Sequence, residues 1–160
     1  LGLSPGEAED LFEKYHKRVP FVKEMIERTM KKAADIGHVR TLLGRKCRFD
    51  KWEPSRYGVH RPLPRDEAER EHGKQIRRAF TYKALNKIIQ GSAADMTKQA
   101  MADLHDEGIV PHIQVHDELD CSFEDEIEKD KILEIMRNAV KLEVPVKLDA
   151  EVGPSWGKAK

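Results

Sequence analysis

Two cysteines in 160 residues, Cys47 and Cys121, neither in a CxxC spacing, exclude a disulfide framework and a zinc knuckle and predict a reducing compartment. Long apolar runs are missing too: no stretch approaches the ~18 to 20 residues that a membrane span needs. Nor is there an excess of one charge. Lys+Arg number 29 and Asp+Glu 29, so no global field recruits a polyanion and any nucleic-acid affinity must be local. The first residues, LGLSPGEAEDLFEKYH, lack the basic n-region and continuous apolar core of a secretory signal. They begin partway through a pattern, which predicts a cytoplasmic chain without membrane contact that is part of something longer. What is present, 39% hydrophobic and 36% charged residues, suffices for one compact domain or two small lobes and excludes a disordered tail or a collagen-like fibre.

Ser4, Pro5 and Glu7 form a capping-box start with proline at the first helical position. The spacing predicts a helix over 5–18 that buries Ala8, Leu11, Phe12 and Tyr15, and a second over 21–36 that buries Val22, Met25, Ile26, Met30 and Ala33. After Gly37 the period becomes two. Val39, Thr41 and Leu43 alternate with their neighbours, and Gly44 turns the chain into 45–49, a hairpin. Prolines 54, 62 and 64 with glycines 58 and 73 predict an exposed loop over 50–73 that ends in a short polar helix. From His38 to Arg61 the local charge is +5, which suits either a phosphate backbone or a solvated loop.

A long helix is expected over 74–105, with charge +5 between Lys74 and Gln90. Arg78, Tyr82, Asn86 and Gln90 then form a polar ladder, with Ile76, Phe80, Ala84 and Ile88 roughly opposite and Leu85 and Ile89 beside it, as in a cleft. Gly108 ends this helix. A second hairpin follows over 113–123, then an acidic amphipathic helix over 124–142 and a final strand over 146–152. Between Asp117 and Glu134 the charge is −7, so basic and acidic regions are segregated.

The second hairpin's turn carries His116, Asp117 and Glu118. Adjacent carboxylates held by two strands suit Mg²⁺, which relies on one or two protein carboxylates plus substrate phosphates. Ordinary turn chemistry accounts for the same triplet. Asp95, Asp103 and Asp149 are expected to be solvated or capping residues, with Asp149 on the last strand within range of the hairpin.

Gln114-Val115-His116-Asp117-Glu118, preceded by Lys83-Ala84-Leu85-Asn86-Lys87-Ile88-Ile89-Gln90-Gly91-Ser92-Ala93-Ala94-Asp95, resembles the C-terminal half of the polymerase region of family A DNA polymerases. The first segment is similar to the family's motif C, the second to the palm helix lying against the primer-template. Gly37 to Lys46 resembles the hairpin leading out of the fingers, and Val144-Pro145 through Gly153 to Trp156 the closing strand. Tyr82 stands where the bacterial repair enzymes usually carry Arg, a feature closer to bacteriophage enzymes, and the 50–73 loop is longer than in the bacterial ones.

The resemblance implies an α+β fold, fingers helices over 1–37, a basic hairpin and loop over 38–73, and a palm over 74–160. It implies a DNA-directed DNA polymerase for DNA replication that uses Mg²⁺ by a two-metal mechanism. Asp117 and Glu118 would serve the metals, with His116 near the primer terminus and a further Asp supplied from outside this chain. Arg40, Arg45, Lys46, Arg78, Tyr82, Asn86, Gln90 and Gln114 would contact DNA. The implied partners are primer-template DNA, deoxynucleoside triphosphates and the upstream part of the same polymerase, in the host bacterial cytoplasm if phage-encoded. The weighed alternatives are a non-catalytic primer-template-binding module and the palm of a single-subunit phage RNA polymerase, which usually places a small residue where Glu118 stands.

Overall fold

The computed structural model describes Gly2 and residues 4–159. The chain divides into two compact units, Leu1–Ile89 and Gln90–Lys160. The longest helix, Ala84–Asp106, crosses this boundary.

In the first unit, α1 (Pro5–Arg18) starts at a formed capping box: the Ser4 N–H donates to Glu7 Oε2 at 2.8 Å. That bond holds the Glu7 carboxyl below its ordinary pKa. Helix α2 (Pro20–Ile36) buries Ala33, and Gly37 closes it in the left-handed conformation at φ 74°. The expected burial of the α1 stripe is corrected. This helix buries none of its residues, and Leu11, Phe12 and Tyr15 stay exposed, because an amphipathic stripe is buried only where a neighbouring element covers it.

Strands β1 (His38–Arg40) and β2 (Lys46–Arg48) form the expected hairpin, with Val39 opposite Cys47. Its turn is closed by the Thr41 hydroxyl, which accepts from the Arg45 N–H at 3.0 Å. Val39, Phe49, Ala33 and Ala84 make this unit's core, with Cys47 and Ile88 against it.

The expectation of an exposed loop over 50–73 fails at its start. Trp52–Pro54 is a strand, β3, paired antiparallel with β4 (Ile76–Arg78), and α3 (Arg65–His72) lies between them in sequence. The helix expected from residue 74 is corrected with it. Residues 76–78 are extended, Phe80 is left-handed at φ 63°, Thr81–Lys83 is a single 3-10 turn, and α4 begins only at Ala84, ending at Asp106. The i+4 spacing of Ile76, Phe80, Ala84 and Ile88 is real, but sheet pairing with 52–54 outcompetes local helix formation before Ala84.

The second unit packs Leu104 of α4 with Ile109, Ile132, Leu119, Cys121 and Phe123. Strands β5 (Ile113–Val115) and β6 (Glu118–Asp120) pair as a hairpin, followed by α5 (Glu126–Asn138), which Asp125 caps by accepting from the Glu128 N–H at 2.9 Å. Helix α5 is shorter at both ends than the pattern predicts. The final strand over 146–152 does not form: that segment makes no ladder among the described residues, despite its alternation. Asp95, expected to be solvated or capping, is buried at 6% exposure.

Candidate functional site

The register of β5 and β6 decides the geometry of the turn. Val115 pairs with Glu118, leaving a two-residue loop of His116 and Asp117, so Glu118 is the first residue of β6 rather than part of the turn. A two-residue hairpin loop needs positive φ at its first or at both central positions, which glycine usually supplies. Here His116 takes it, at φ 55°. A non-glycine residue in that region carries about 1–3 kcal/mol of strain and persists where its surroundings hold it. Gln114 provides such a hold, its Nε2 donating to the His116 carbonyl at 3.0 Å. This brace was not read from the sequence. The signal was there, since a two-residue loop without glycine leaves one residue to be held left-handed.

Asp117 and Glu118 are exposed and line a cavity of about 530 Å³ together with Asp120, Asp149 and Glu151, among other residues. Lys129 and Lys147 are the basic side chains of its lining, and Lys147 is already paired with Asp149 at 3.0 Å. Asp149 is thus brought to the same cavity as the hairpin carboxylates. The donor set is oxygen only, which a hard cation prefers. Burial, aided by Asp120, pushes the Cys121 thiol up, so this neighbour stays protonated and is a poor ligand. Among the described residues no group of three or more His, Cys, Asp or Glu side chains is placed to hold a metal ion by itself.

The polar ladder is only half assembled. Asn86 and Gln90 lie one turn apart on α4 with exposed side chains. Tyr82 precedes them in the 3-10 turn, exposed, its ring 6.5 Å from Phe80 with Lys83 Nζ near both rings. Arg78 does not join them. It ends β4, where its Nε donates to the Ala34 carbonyl at 3.1 Å and its Nη1 to the Phe49 carbonyl at 3.0 Å, with the guanidinium 4.6 Å from the Trp52 ring centre. Those contacts consume the side chain inside the first unit. The β1–β2 hairpin carries Arg40, Arg45 and Lys46, all exposed, with Arg40 Nη1 donating to the Gly44 carbonyl of its own turn at 2.7 Å.

The family model for DNA polymerase family A matches residues 1–158. The chain belongs to family A of the DNA polymerases. It is 36% identical over 151 residues to a DNA-directed DNA polymerase of Pseudomonas phage M6, covering 94% of this chain and 20% of that protein. It is also 36% identical over 167 residues to the thermostable DNA polymerase I of Thermus filiformis, covering 100% of this chain and 18% of that one. Among solved structures, the POL domain of Pol1 from M. smegmatis, in complex with DNA primer-template and dNTP, matches with a TM-score of 0.71 and 31% identity over 99% of this chain and 27% of its own. The mixed fold of helices and small antiparallel sheets is thus that of a family A polymerase region. The chain spans about a fifth of the length of these curated relatives. No helix among the described residues is long and apolar enough to cross a membrane.

Proposed function

We propose that this chain supplies the motif C turn and the minor-groove helix of a DNA-directed DNA polymerase that acts in DNA replication. The observation that carries the reading is the β5–β6 hairpin: two adjacent exposed carboxylates, Asp117 in the two-residue loop and Glu118 at the start of β6, beside a left-handed His116. Family membership supplies the reaction class. Residues 1–37 would belong to the fingers and 74–160 to the palm, with 38–73 as a basic hairpin and loop.

In this reading Asp117 holds a catalytic cation, Glu118 assists beside it, and His116 lies near the primer terminus. The remaining carboxylate comes from an Asp outside this chain, in the upstream part of the same polymerase. When bound, paired Mg²⁺ ions would activate the primer hydroxyl and neutralise the leaving pyrophosphate. The chain's own work is positioning. Two strands fix the backbone of the turn, so the carboxylates are aimed without dependence on a flexible loop.

Asn86 and Gln90 face the duplex minor groove, where purine N3 and pyrimidine O2 recur in similar places, so amide donors there test duplex geometry without reading sequence. Tyr82, Gln114, Arg40, Arg45 and Lys46 add contacts to primer-template DNA. Deoxynucleoside triphosphates are the second substrate.

Primer extension tests this. The purified chain alone is expected to give no detectable turnover, because well-oriented reactions owe ~7 to 11 kcal/mol to positioning that one carboxylate pair cannot supply. Adding the upstream polymerase segment in trans restores Mg²⁺-dependent extension. Extension by the chain alone would mean that a further carboxylate, such as Asp149, already completes the site. No extension in the presence of the segment, with DNA binding intact, would favour a non-catalytic primer-template module.

A further inference from the structure

Residues 55–64 contain Arg56, Tyr57, His60 and Arg61 and no acidic residue. Their base is fixed. Trp52 and Leu63 exchange two backbone hydrogen bonds, at 2.7 and 2.9 Å, and the Ser55 N–H donates to the Gln75 carbonyl at 2.9 Å. The tip is folded back on itself, with the His60 ring nitrogen 3.2 Å from the Arg56 carbonyl oxygen. Gly58 at φ 139° allows this, and a Cβ there would stand 3.1 Å from the same His60 nitrogen. An anchored base and a braced tip present their side chains at low conformational cost.

What they present is one aromatic and one aliphatic side chain with nothing packed on them: Tyr57 and Val59 are each 104% exposed. The arginines nearby divide into two classes. Arg65 is paired with Glu69 at 2.8 Å, Arg77 with Glu53 at 2.9 Å, and Arg78 is consumed by main-chain carbonyls. Arg56, next to Tyr57, and Arg61, four residues after it, are exposed and have no ion pair among the described residues. A projecting ring and two exposed cations without ion pairs, all on one short loop, match a polyanion whose base faces are accessible. Stacked bases in a duplex hide those faces, whereas a single strand offers them.

We infer that the tip formed by Arg56, Tyr57 and Arg61 is a binding site for single-stranded DNA, with Tyr57 stacking on a base and the two guanidiniums on neighbouring phosphates. This goes beyond the proposed function, which gives these residues no role. It also stands independently of the Asp117 site.

The test is fluorescence anisotropy at low salt with the full chain, a labelled oligothymidylate, and a labelled hairpin duplex of equal phosphate count. Tyr57→Ala is expected to weaken oligothymidylate binding about 5- to 100-fold and to leave duplex binding nearly unchanged. Tyr57→Phe keeps the ring and keeps the affinity. Changing both arginines to Gln lowers the slope of log K against log salt on the single strand by about 1.4. Absent oligothymidylate binding, unchanged affinity in Tyr57→Ala, or an equal loss on the duplex would each overturn the inference. Because Tyr57 touches nothing in the fold, its variants are expected to melt as the parent does, which a thermal scan checks. Failure here leaves the motif C reading intact, since Asp117-dependent extension is measured separately.

Discussion

The strand pairs β3–β4 and β5–β6 are both three residues long, antiparallel and charged near one end, yet the fold uses their charges in opposite ways. In β3–β4 the guanidinium of Arg78 turns back onto carbonyls at the end of α2 and after β2, where a cation also complements the helix C-terminus. In β5–β6 the turn has only two residues, so Asp117 and Glu118 remain exposed. A charged residue therefore signals a partner only when no carbonyl or counter-ion of its own chain lies within reach. Sequence spacing alone does not separate the two cases.

The sharpest test of the contrast is Asp117→Asn in the polymerase with its upstream part present. Single-turnover extension is expected to fall at least ~10²-fold, the scale of losing one electrostatic stabiliser, because the change removes charge and little volume. Primer-template affinity and thermal stability stay near the parent values. Near-normal extension would break the assignment of the turn.

Arg78→Ala should do the reverse: fold first, DNA second. Two carbonyls lose a charged donor and Trp52 loses a cation on its face, so the first unit is expected to lose about 2–4 kcal/mol in urea. Trp52 fluorescence in a Trp156→Phe background follows that unit. A loss of DNA affinity at unchanged stability would restore Arg78 to the polar ladder.

Gly37→Ala sharpens the same clamp with a smaller effect. Gly37 is left-handed at φ 74°, and an added Cβ would stand 2.6 Å from Arg78 Cζ. The guanidinium is pinned by its hydrogen bonds and cannot retreat cheaply. Destabilisation of about 1–3 kcal/mol is expected, the lower end being the cost of a left-handed alanine. In an Arg78→Ala background only that backbone cost should remain, giving a coupling energy in a double-mutant cycle. Strict additivity would show that the two residues do not share the clamp.

Helix α1 was readable because Ser4, Pro5 and Glu7 spell its start chemically, and α2 because Gly37 spells its end. The start of α4 was not, since Ile76 and Phe80 continue its apolar stripe while a long-range pairing with 52–54 decides otherwise. The exposed face of α1 was equally hidden: amphipathic spacing says that a side can be covered, not that a neighbour covers it. Segment 146–152 has strand alternation, but a strand also requires a partner. At the turn, the residue types pointed to oxygen ligation and the resemblance to motif C. The left-handed His116 and the Gln114 brace emerge only once the register is fixed.

The smallest expected effect concerns how the second unit ties the end of α4 to α5. Lys131 of α5 meets Glu107, one residue beyond α4, at 2.8 Å, both side chains being half exposed. The hydrogen bond from Lys131, reinforced by its charge, holds the Glu107 carboxyl below its ordinary pKa. A carboxylate lowered on folding contributes stability that is fully present above its unfolded pKa and is lost as pH falls through the lowered folded value. The contribution is thus present at neutral pH and disappears on acidification below the usual carboxylate range. Exposed pairs of this kind are weak and screened by salt, so the readout should be the titration itself rather than stability. In Lys131→Met the Glu107 carboxyl, followed by its side-chain carbon resonance, is expected to move up to the ordinary value, and high salt should shrink the difference from the parent. An unchanged titration in Lys131→Met would mean that the contact between α5 and the end of α4 is held by Leu104, Ile109 and Ile132 alone.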